Sequence, residues 1–298
     1  SAPLLSAVSV SLKASGVNKI VYQLLNSDNF LLHHFTGVLQ VYSLLDREST
    51  ALYFLTVRAI DAVTRFSADT LLLLEVTDIN DCFPKFQQDS YHIYIPEDTE
   101  VGTVVAILTA VDNDKGMNAV VHYSLTDKFF KVDAKDGSLI LQQCLDYEHS
   151  DFHQLTVFAT DSGVPPLTSF VSVFVKVINS NDNAPFIMAS TLHHRVSQDI
   201  LRGTFVGRVL ARDEDGDPLF FSLTSQDDNI RRTIAIKKNT GIISVLNPKL
   251  LRQFKVISVN FSVDDGLHST PGVVKIQILP SNTGAPRFAK SHHEVILQ

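Results

Sequence analysis

The chain has 298 residues, 45% of them hydrophobic and 19% charged, with a formal net charge of −7. That composition belongs to a folded protein rather than a disordered chain. The acidic balance, with no cluster of Lys or Arg, excludes a nucleic-acid partner. No apolar run approaches the ~18 residues of a membrane-spanning helix, and no signal peptide is visible at the start. Two cysteines fit either a reduced compartment or a secreted protein stabilised by something other than disulfides.

A long-range repeat frames the local reading. One phrase recurs as Asp78-Ile79-Asn80-Asp81-Cys82-Phe83-Pro84, Asn179-Ser180-Asn181-Asp182-Asn183-Ala184-Pro185 and Pro280-Ser281-Asn282-Thr283-Gly284-Ala285-Pro286. The starts are separated by 179 − 78 = 101 and 280 − 179 = 101 residues. A period of common domain size predicts tandem modules, each able to bury its own core. The division is residues 1–82, 83–183 and 184–284, with 285–298 opening a fourth module at Arg287-Phe288.

Along the chain, residues 1–16 match 101–116 in hydrophobic pattern. The first module therefore reads as starting at its second strand, without the segment that carries Ile95-Pro96-Glu97 in the next. Leu45-Asp46-Arg47-Glu48 follows, then the alternating Leu55, Val57 and Ala59, which predict a strand with one buried face. An acid stands two places on, at Asp61. The second module repeats this order with Leu145-Asp146-Tyr147-Glu148, then Leu155, Val157, Ala159 and Asp161. The third has Lys249-Leu250-Leu251-Arg252, then Val259, Phe261, Val263 and, in the same inward phase, Asp265 rather than Asp264. Runs such as 170–177 and 273–279 are rich in Val, Ile and Phe between Gly-, Pro- and Asp-containing turns. No segment longer than about ten residues sustains a helical period with caps. Many short strands per hundred residues point to an all-β, β-sandwich architecture.

These motifs together resemble the extracellular repeats of the cadherin superfamily, of the Fat, Dachsous, tip-link and protocadherin types, over almost the whole chain. The resemblance implies tandem Greek-key, immunoglobulin-like sandwiches in an elongated array, with Ca²⁺ held between successive repeats. It assigns to the first junction Asp46, Glu48, Asp78, Asn80, Asp81 and Cys82 from above, with Asp112, Asp114, Asn118 and Asp161 from below. Cys82 and Asn118 are expected to act through backbone carbonyls, so their side chains need not matter. To the second junction it assigns Glu97, Asp146, Glu148, Ser180, Asn181, Asp182 and Asn183, with Asp213, Asp215 and Asp265 below. There Asn179 replaces the first linker Asp, and Gly216-Asp217-Pro218 breaks the usual loop. At the third junction Gln198, Leu250, Arg252 and Thr283 replace the expected acids, so that junction should be calcium-free.

The chemistry matches a hard cation, since calcium takes six to eight oxygens in irregular geometry. Crowded acids repel when metal-free and align when neutralised, which makes calcium a mechanical switch. The implied function is calcium-dependent cell–cell adhesion, as an internal rod-like segment of the extracellular part of a single-pass plasma-membrane glycoprotein. Its partners are other cadherin ectodomains in cis or trans, with no small-molecule substrate and no membrane contact except through a span outside this chain. The alternatives are accessory modules of a secreted enzyme or a soluble calcium-binding array that binds another ligand.

Catalytic readings find little support. No Gly-x-Ser-x-Gly, phosphate-cradling loop or Cys-His constellation occurs, so the chain does not read as an enzyme. Asp112-Asn113-Asp114-Lys115-Gly116 is not an EF-hand, because the Gly is one place early and Tyr123 stands where Glu belongs. The pairs His33-His34, His193-His194 and His292-His293 point to opposite faces of a strand, and His149 and His153 follow a turn, so neither pattern predicts a zinc site. Cys82 and Cys144 lie at opposite ends of a module and are expected to be free thiols. Asn260-Phe261-Ser262 is a glycosylation sequon whose Asn should face outwards.

Overall fold

A computed structural model describes residues 10–16, 18–26, 29–189 and 192–281. The expectations for Asn282, Thr283, His292-His293 and the start of a fourth module lie outside the described residues. The chain forms two compact units. One runs to Ile95 and includes Thr99–Leu145 and Phe152–Lys176; the other contains Pro96–Asp98, Asp146–Asp151 and the residues from Val177 on.

The alternating segments are strands, as their period requires. Leu52–Asp61, Phe152–Thr160 and Val256–Asp264 each pair antiparallel with the strand that follows, Ser67–Glu75, Thr168–Ile178 and Ser269–Leu279. Their inward positions are closed to solvent: Leu55 and Val57, then Leu155, Val157 and Ala159, then Val259, Phe261 and Val263. Full burial of an aromatic such as Phe261 contributes roughly 1.5–3 kcal/mol. The same phase carries Asp161 and Asp265, 3% and 6% exposed, onto the rim of each core. Asp264 instead accepts a hydrogen bond from Ser262 Oγ.

In the third sandwich the sheet order is His193–Ser197, Ser269–Leu279, Val256–Asp264, Phe220–Leu223, facing Phe205–Arg208, Ile242–Val245 and Ile234–Ile236. His193–Ser197 runs parallel to the final strand, with Ser197 opposite Leu279. The second sandwich repeats this layout with Ser90–Pro96 beside Thr168–Ile178. That parallel pairing matters for the site, because it sets the residue after each first strand beside the linker that follows the last. In the first sandwich the corresponding sheet has three strands among the described residues, Ile20–Leu24, Leu52–Asp61 and Ser67–Glu75.

The sequence reading passed over two short helices, Asp228–Thr233 and Pro248–Leu251. Asp227 and Asn247 cap them by accepting from Asn229 N and Lys249 N, and Pro248 occupies the first turn, where its missing N–H costs nothing. The second helix covers Leu250 and buries Leu251 completely, whereas the second repeat buries Leu145 before an ordinary turn.

Candidate cation-binding clusters

The first cluster lies within one unit. Asp78 Oδ2 accepts from Lys115 N at 3.0 Å and Asn118 Nδ2 at 2.8 Å. Asn80 Nδ2 donates to both oxygens of Asp161, at 3.2 and 3.3 Å, and to Pro165 O at 2.7 Å. Asn80 fits there because residue 163 is Gly: a Cβ would lie 2.1 Å from Asn80 Cγ. Asp112 Oδ1 accepts from Asp114 N at 2.9 Å, and Cys82 N reaches Asp114 Oδ2 at 3.3 Å. Ligating atoms of Glu48, Asp81, Cys82 and Asp114 all fall within 4.8 Å of one another. Asp46 is spent on its own turn, accepting from Glu48 N, Ser49 N and Ser49 Oγ.

Arg47 enters this cluster, a role that its place between two motif acids did not reveal. It pairs with Glu48, lies 2.5 Å through Nε from Asp78 Oδ1, and donates through Nη2 to Asn113 O at 2.7 Å. The Nε–Asp78 contact is an ion pair without an aligned hydrogen bond. Burial opposes ionisation of Asp78, but Lys115 N–H, Asn118 and Arg47 together hold its carboxyl below the ordinary range. Asp112 goes the other way, pushed up by burial and by Asp114, Asp161 and Asp78.

The second cluster lies within the other unit. Glu97, 5% exposed, accepts Ser180 N at 2.7 Å through Oε1 and Tyr147 N at 2.6 Å through Oε2. Glu97, Glu148 and Asp182 bring ligating atoms within 4.8 Å, and so do Asp213, Asp215 and Asp217. Burial, then Glu97 and Asp215, push Glu148 up; burial, then Glu97, Asp215 and Asp146, push Asp182 up. Asp146 itself accepts from His149 N at 2.8 Å. Asn183 Nδ2 bridges Asp182 Oδ1 and Asp215 Oδ1 at 2.8 and 2.9 Å, while its N–H donates to Asp215 Oδ2 at 2.9 Å. Asn181 Oδ1 and Asp265 Oδ2 sit 3.0 and 3.2 Å from His268 Nδ1. Burial works against the Asp265 charge, yet donors from His268 and Leu267 keep its carboxyl below the ordinary range.

Both clusters hold buried oxygens without hydrogen bonds. They are Asn80 Oδ1, Asp112 Oδ2 and Asp114 Oδ1 in the first, and Asn179 Oδ1 and Asp213 Oδ2 in the second. Buried acceptors are normally satisfied, so orphaned oxygens among crowded acids fit a hard divalent cation.

Comparison with known proteins supplies the family. A cadherin-domain family model matches residues 91–178. The Fat-like cadherin-related tumor suppressor homolog of Drosophila melanogaster is 33% identical over 302 residues, covering 97% of this chain and 6% of that protein. The chain belongs to the cadherin superfamily. Human Protocadherin Fat 1 is also 33% identical, over 94% of this cadherin chain and 6% of its own length. Among solved structures, mouse Cadherin-23 EC22-24 has TM-score 0.74 and 26% identity, covering 91% of this chain and 90% of that one. The Protocadherin gammaB7 EC3-6 cis-dimer structure has TM-score 0.73 and 26% identity, over 88% and 67%. This cadherin segment thus spans about 6% of its Fat-type relatives.

Several features of the cadherin sites differ from the sequence expectation. The Asn118 side chain donates to Asp78, and the Asn183 amide donates to Asp182 and Asp215, contacts that the sequence did not predict. Asp217, taken as a loop breaker, stands with Asp213 and Asp215. Asn179 donates to Asp215 O at 2.9 Å and keeps its own oxygen unpaired. His153 is half-buried against Phe129 and Phe130, and burial lowers its pKa. Cys82 and Cys144 are free thiols. At the third repeat's end, Gln198 Nε2 donates to Ser281 Oγ at 2.6 Å, and Arg252 pairs with Asp199 at 3.4 Å.

Proposed function

We propose that this cadherin segment is an internal stretch of an adhesive ectodomain stiffened by calcium at two of its junctions. The repeats divide at residues 82 and 183. Calcium at the first junction is held by Glu48, Asp78, Asn80, Asp81, Asp112, Asp114 and Asp161, and at the second by Glu97, Glu148, Asn179, Asn181, Asp182, Asp213, Asp215, Asp217 and Asp265. Asp46 and Asp146 brace the turns that carry Glu48 and Glu148, and the carbonyls of Cys82, Asn118, Ser180 and Asn183 complete the sets. Bound calcium supplies positive charge that these oxygens share.

The observation that carries this reading is the set of buried, unpaired oxygens among acids where burial, and then neighbouring carboxylates, push Asp112, Glu148 and Asp182 up. Holding those acids together without a cation costs repulsion; a cation that binds only the closed arrangement shifts the population towards it. The third junction takes no calcium, because Gln198 and Arg252 replace Glu97 and Glu148 and are already paired.

Its partners are further cadherin ectodomains, in keeping with its relatives and with the cis-dimer assembly of one structural neighbour. No helix among the described residues is long and apolar enough to cross a membrane. Asn260 is exposed while Phe261 is buried, so the sequon can carry a glycan on the outer face.

Thermal melting in calcium and in chelator tests the proposal. Calcium at about 100 times its Kd adds roughly 2.7 kcal/mol per site. The melting midpoint should therefore rise by several degrees; an unchanged midpoint refutes the calcium reading. Bead aggregation with and without calcium then tests adhesion.

A further inference from the structure

The third repeat reverses the charge of the second. Residues 184–281 hold 12 Lys and Arg against 9 Asp and Glu, 12 − 9 = 3, whereas residues 83–183 hold 6 against 14, 6 − 14 = −8. Four of the nine acids, Asp213, Asp215, Asp217 and Asp265, stand in the second cluster. Asp265 precedes one end of the strand Ser269–Leu279, and Ser197 lies beside the other, so roughly 30 Å separates these acids from the opposite end of the sandwich. That end holds an open groove of about 770 Å³, lined by the apolar Leu201, Leu246 and Pro248 and by Arg202, Arg232 and Lys249, without a carboxylate.

Hydrogen bonds fix the three cations to one frame. Residues 201–204 form a turn in which Thr204 N donates to Leu201 O at 3.2 Å, with Gly203 at φ +83° in its third place. Gly203 N donates to Val245 O and Leu246 N to Thr233 O, each at 2.7 Å. The turn carrying Arg202, the helix carrying Lys249 and the helix end carrying Arg232 are thereby joined through one strand. Neighbouring charges are engaged elsewhere: Arg231 Nε donates to Ser225 O at 2.6 Å, and Asp199 pairs with Arg252. Arg202, Arg232 and Lys249 are exposed and take part in none of the ion pairs among the described residues. They stand 232 − 202 = 30 and 249 − 232 = 17 residues apart, so no basic run announces them in the sequence.

We propose that this groove binds a sulfated polysaccharide through Arg202, Arg232 and Lys249. The proposal rests on the function above only for the extracellular placement of the repeats, where sulfate esters are the abundant polyanions. Arginine forks hold tetrahedral oxyanions through paired N–H groups, and lysine adds a point charge. Sugar rings bring their apolar C–H faces to Leu201, Leu246 and Pro248 between the charged substituents. An acidic peptide fits less well: the N–H groups of Gly203, Val245, Leu246 and Asn247 are already bonded within the frame and offer no ladder to an added strand. With no carboxylate in its lining, the groove takes its ligand without calcium.

The test is fluorescence anisotropy of a labelled, fully sulfated heparin hexasaccharide titrated with the full chain in about 0.15 M salt, with calcium and with chelator. Saturable binding of equal affinity is expected in both. Arg202→Glu, Arg232→Glu and Lys249→Glu, all at exposed positions, should each weaken it at least about tenfold without moving the melting midpoint. Lys275→Glu makes the same charge change on the strand Ser269–Leu279 and should weaken it by less than about threefold, since salt screens distant exposed charges. The hexasaccharide stripped of its sulfates but not its carboxylates should bind at least about tenfold more weakly. No binding by the wild type, binding that needs calcium, groove variants that bind like the wild type, or equal weakening by Lys275→Glu overturns the proposal. So does tighter groove-dependent binding of phosphatidylserine vesicles or of poly-glutamate, which would give the groove to a lipid surface or an acidic protein. A chain that binds no hexasaccharide yet melts higher in calcium overturns this proposal alone and leaves the calcium reading standing.

Discussion

The two acidic clusters are built on the same strand ends and loops, yet they balance charge differently. In the first, Arg47 brings a guanidinium onto Asp78 and Glu48; in the second, the same motif position is Tyr147, and Glu148 has no such partner in its motif. The linker acid Asp78 becomes Asn179, while Asp217 joins Asp213 and Asp215 in a loop shortened by three residues. That shortening is direct to count, since Tyr123 follows Asp114 by 123 − 114 = 9 residues and Phe221 follows Asp215 by 221 − 215 = 6. One scaffold thus yields one cluster with a guanidinium tethered at its motif acids and one whose matching motif position is Tyr147. The second should therefore loosen more when calcium is removed.

The largest effect should come from Gly163→Ala. The new Cβ would expel Asn80 from its notch, breaking its bonds to Asp161 and Pro165 at a cost of roughly 1–3 kcal/mol. The position two residues after Asp265 is Leu267, so the second cluster tolerates a side chain there. Melting with calcium should show the first unit destabilised and the second unchanged.

Arg47→Tyr should convert the first cluster towards the second. Losing the guanidinium lowers the melting midpoint in chelator and enlarges the rise that calcium produces. A smaller calcium response in the variant would break the comparison.

Asp182→Asn should change sign with the metal. In chelator it removes a charge crowded by Glu97 and Asp215 and raises the midpoint; in calcium it removes a ligand and lowers it. Movement in the same direction under both conditions would contradict the assignment.

The smallest effect is in pH. Glu148 and Asp182 have folded-state values raised above their unfolded ones, so they favour folding when protonated. That contribution is complete below the unfolded carboxylate range and disappears as pH rises through the raised values. Metal-free protein should therefore gain stability in the second unit on mild acidification. The first unit should gain less, because the raised Asp112 is offset by the lowered Asp78. Hydrogen exchange of each unit between neutral pH and about pH 5 checks this.

Much of this was legible in sequence because strand alternation is a two-residue rule: it put Leu155, Val157 and Ala159 inside and carried Asp161 and Asp265 to the core rim. The replacement of Glu97 by Gln198 was readable from the repeat period, since 198 − 97 = 101. Arg47 was not, because a motif spacing does not say which way its middle side chain turns. The place of Asp217 beside Asp213 and Asp215 was hidden by the loop deletion, which only the folded chain aligns. The helix at Pro248–Leu251 was missed because its few residues gave no period to detect.

Counting bound calcium by equilibrium dialysis, in the wild type and in Asp114→Asn and Asp215→Asn, tests the central claim most directly. The wild type should retain ions in two independent sets, each variant should lose one set and keep the other, and the double variant should lose both. Wild-type protein that retains no calcium, or variants that retain as much as the wild type, would contradict it.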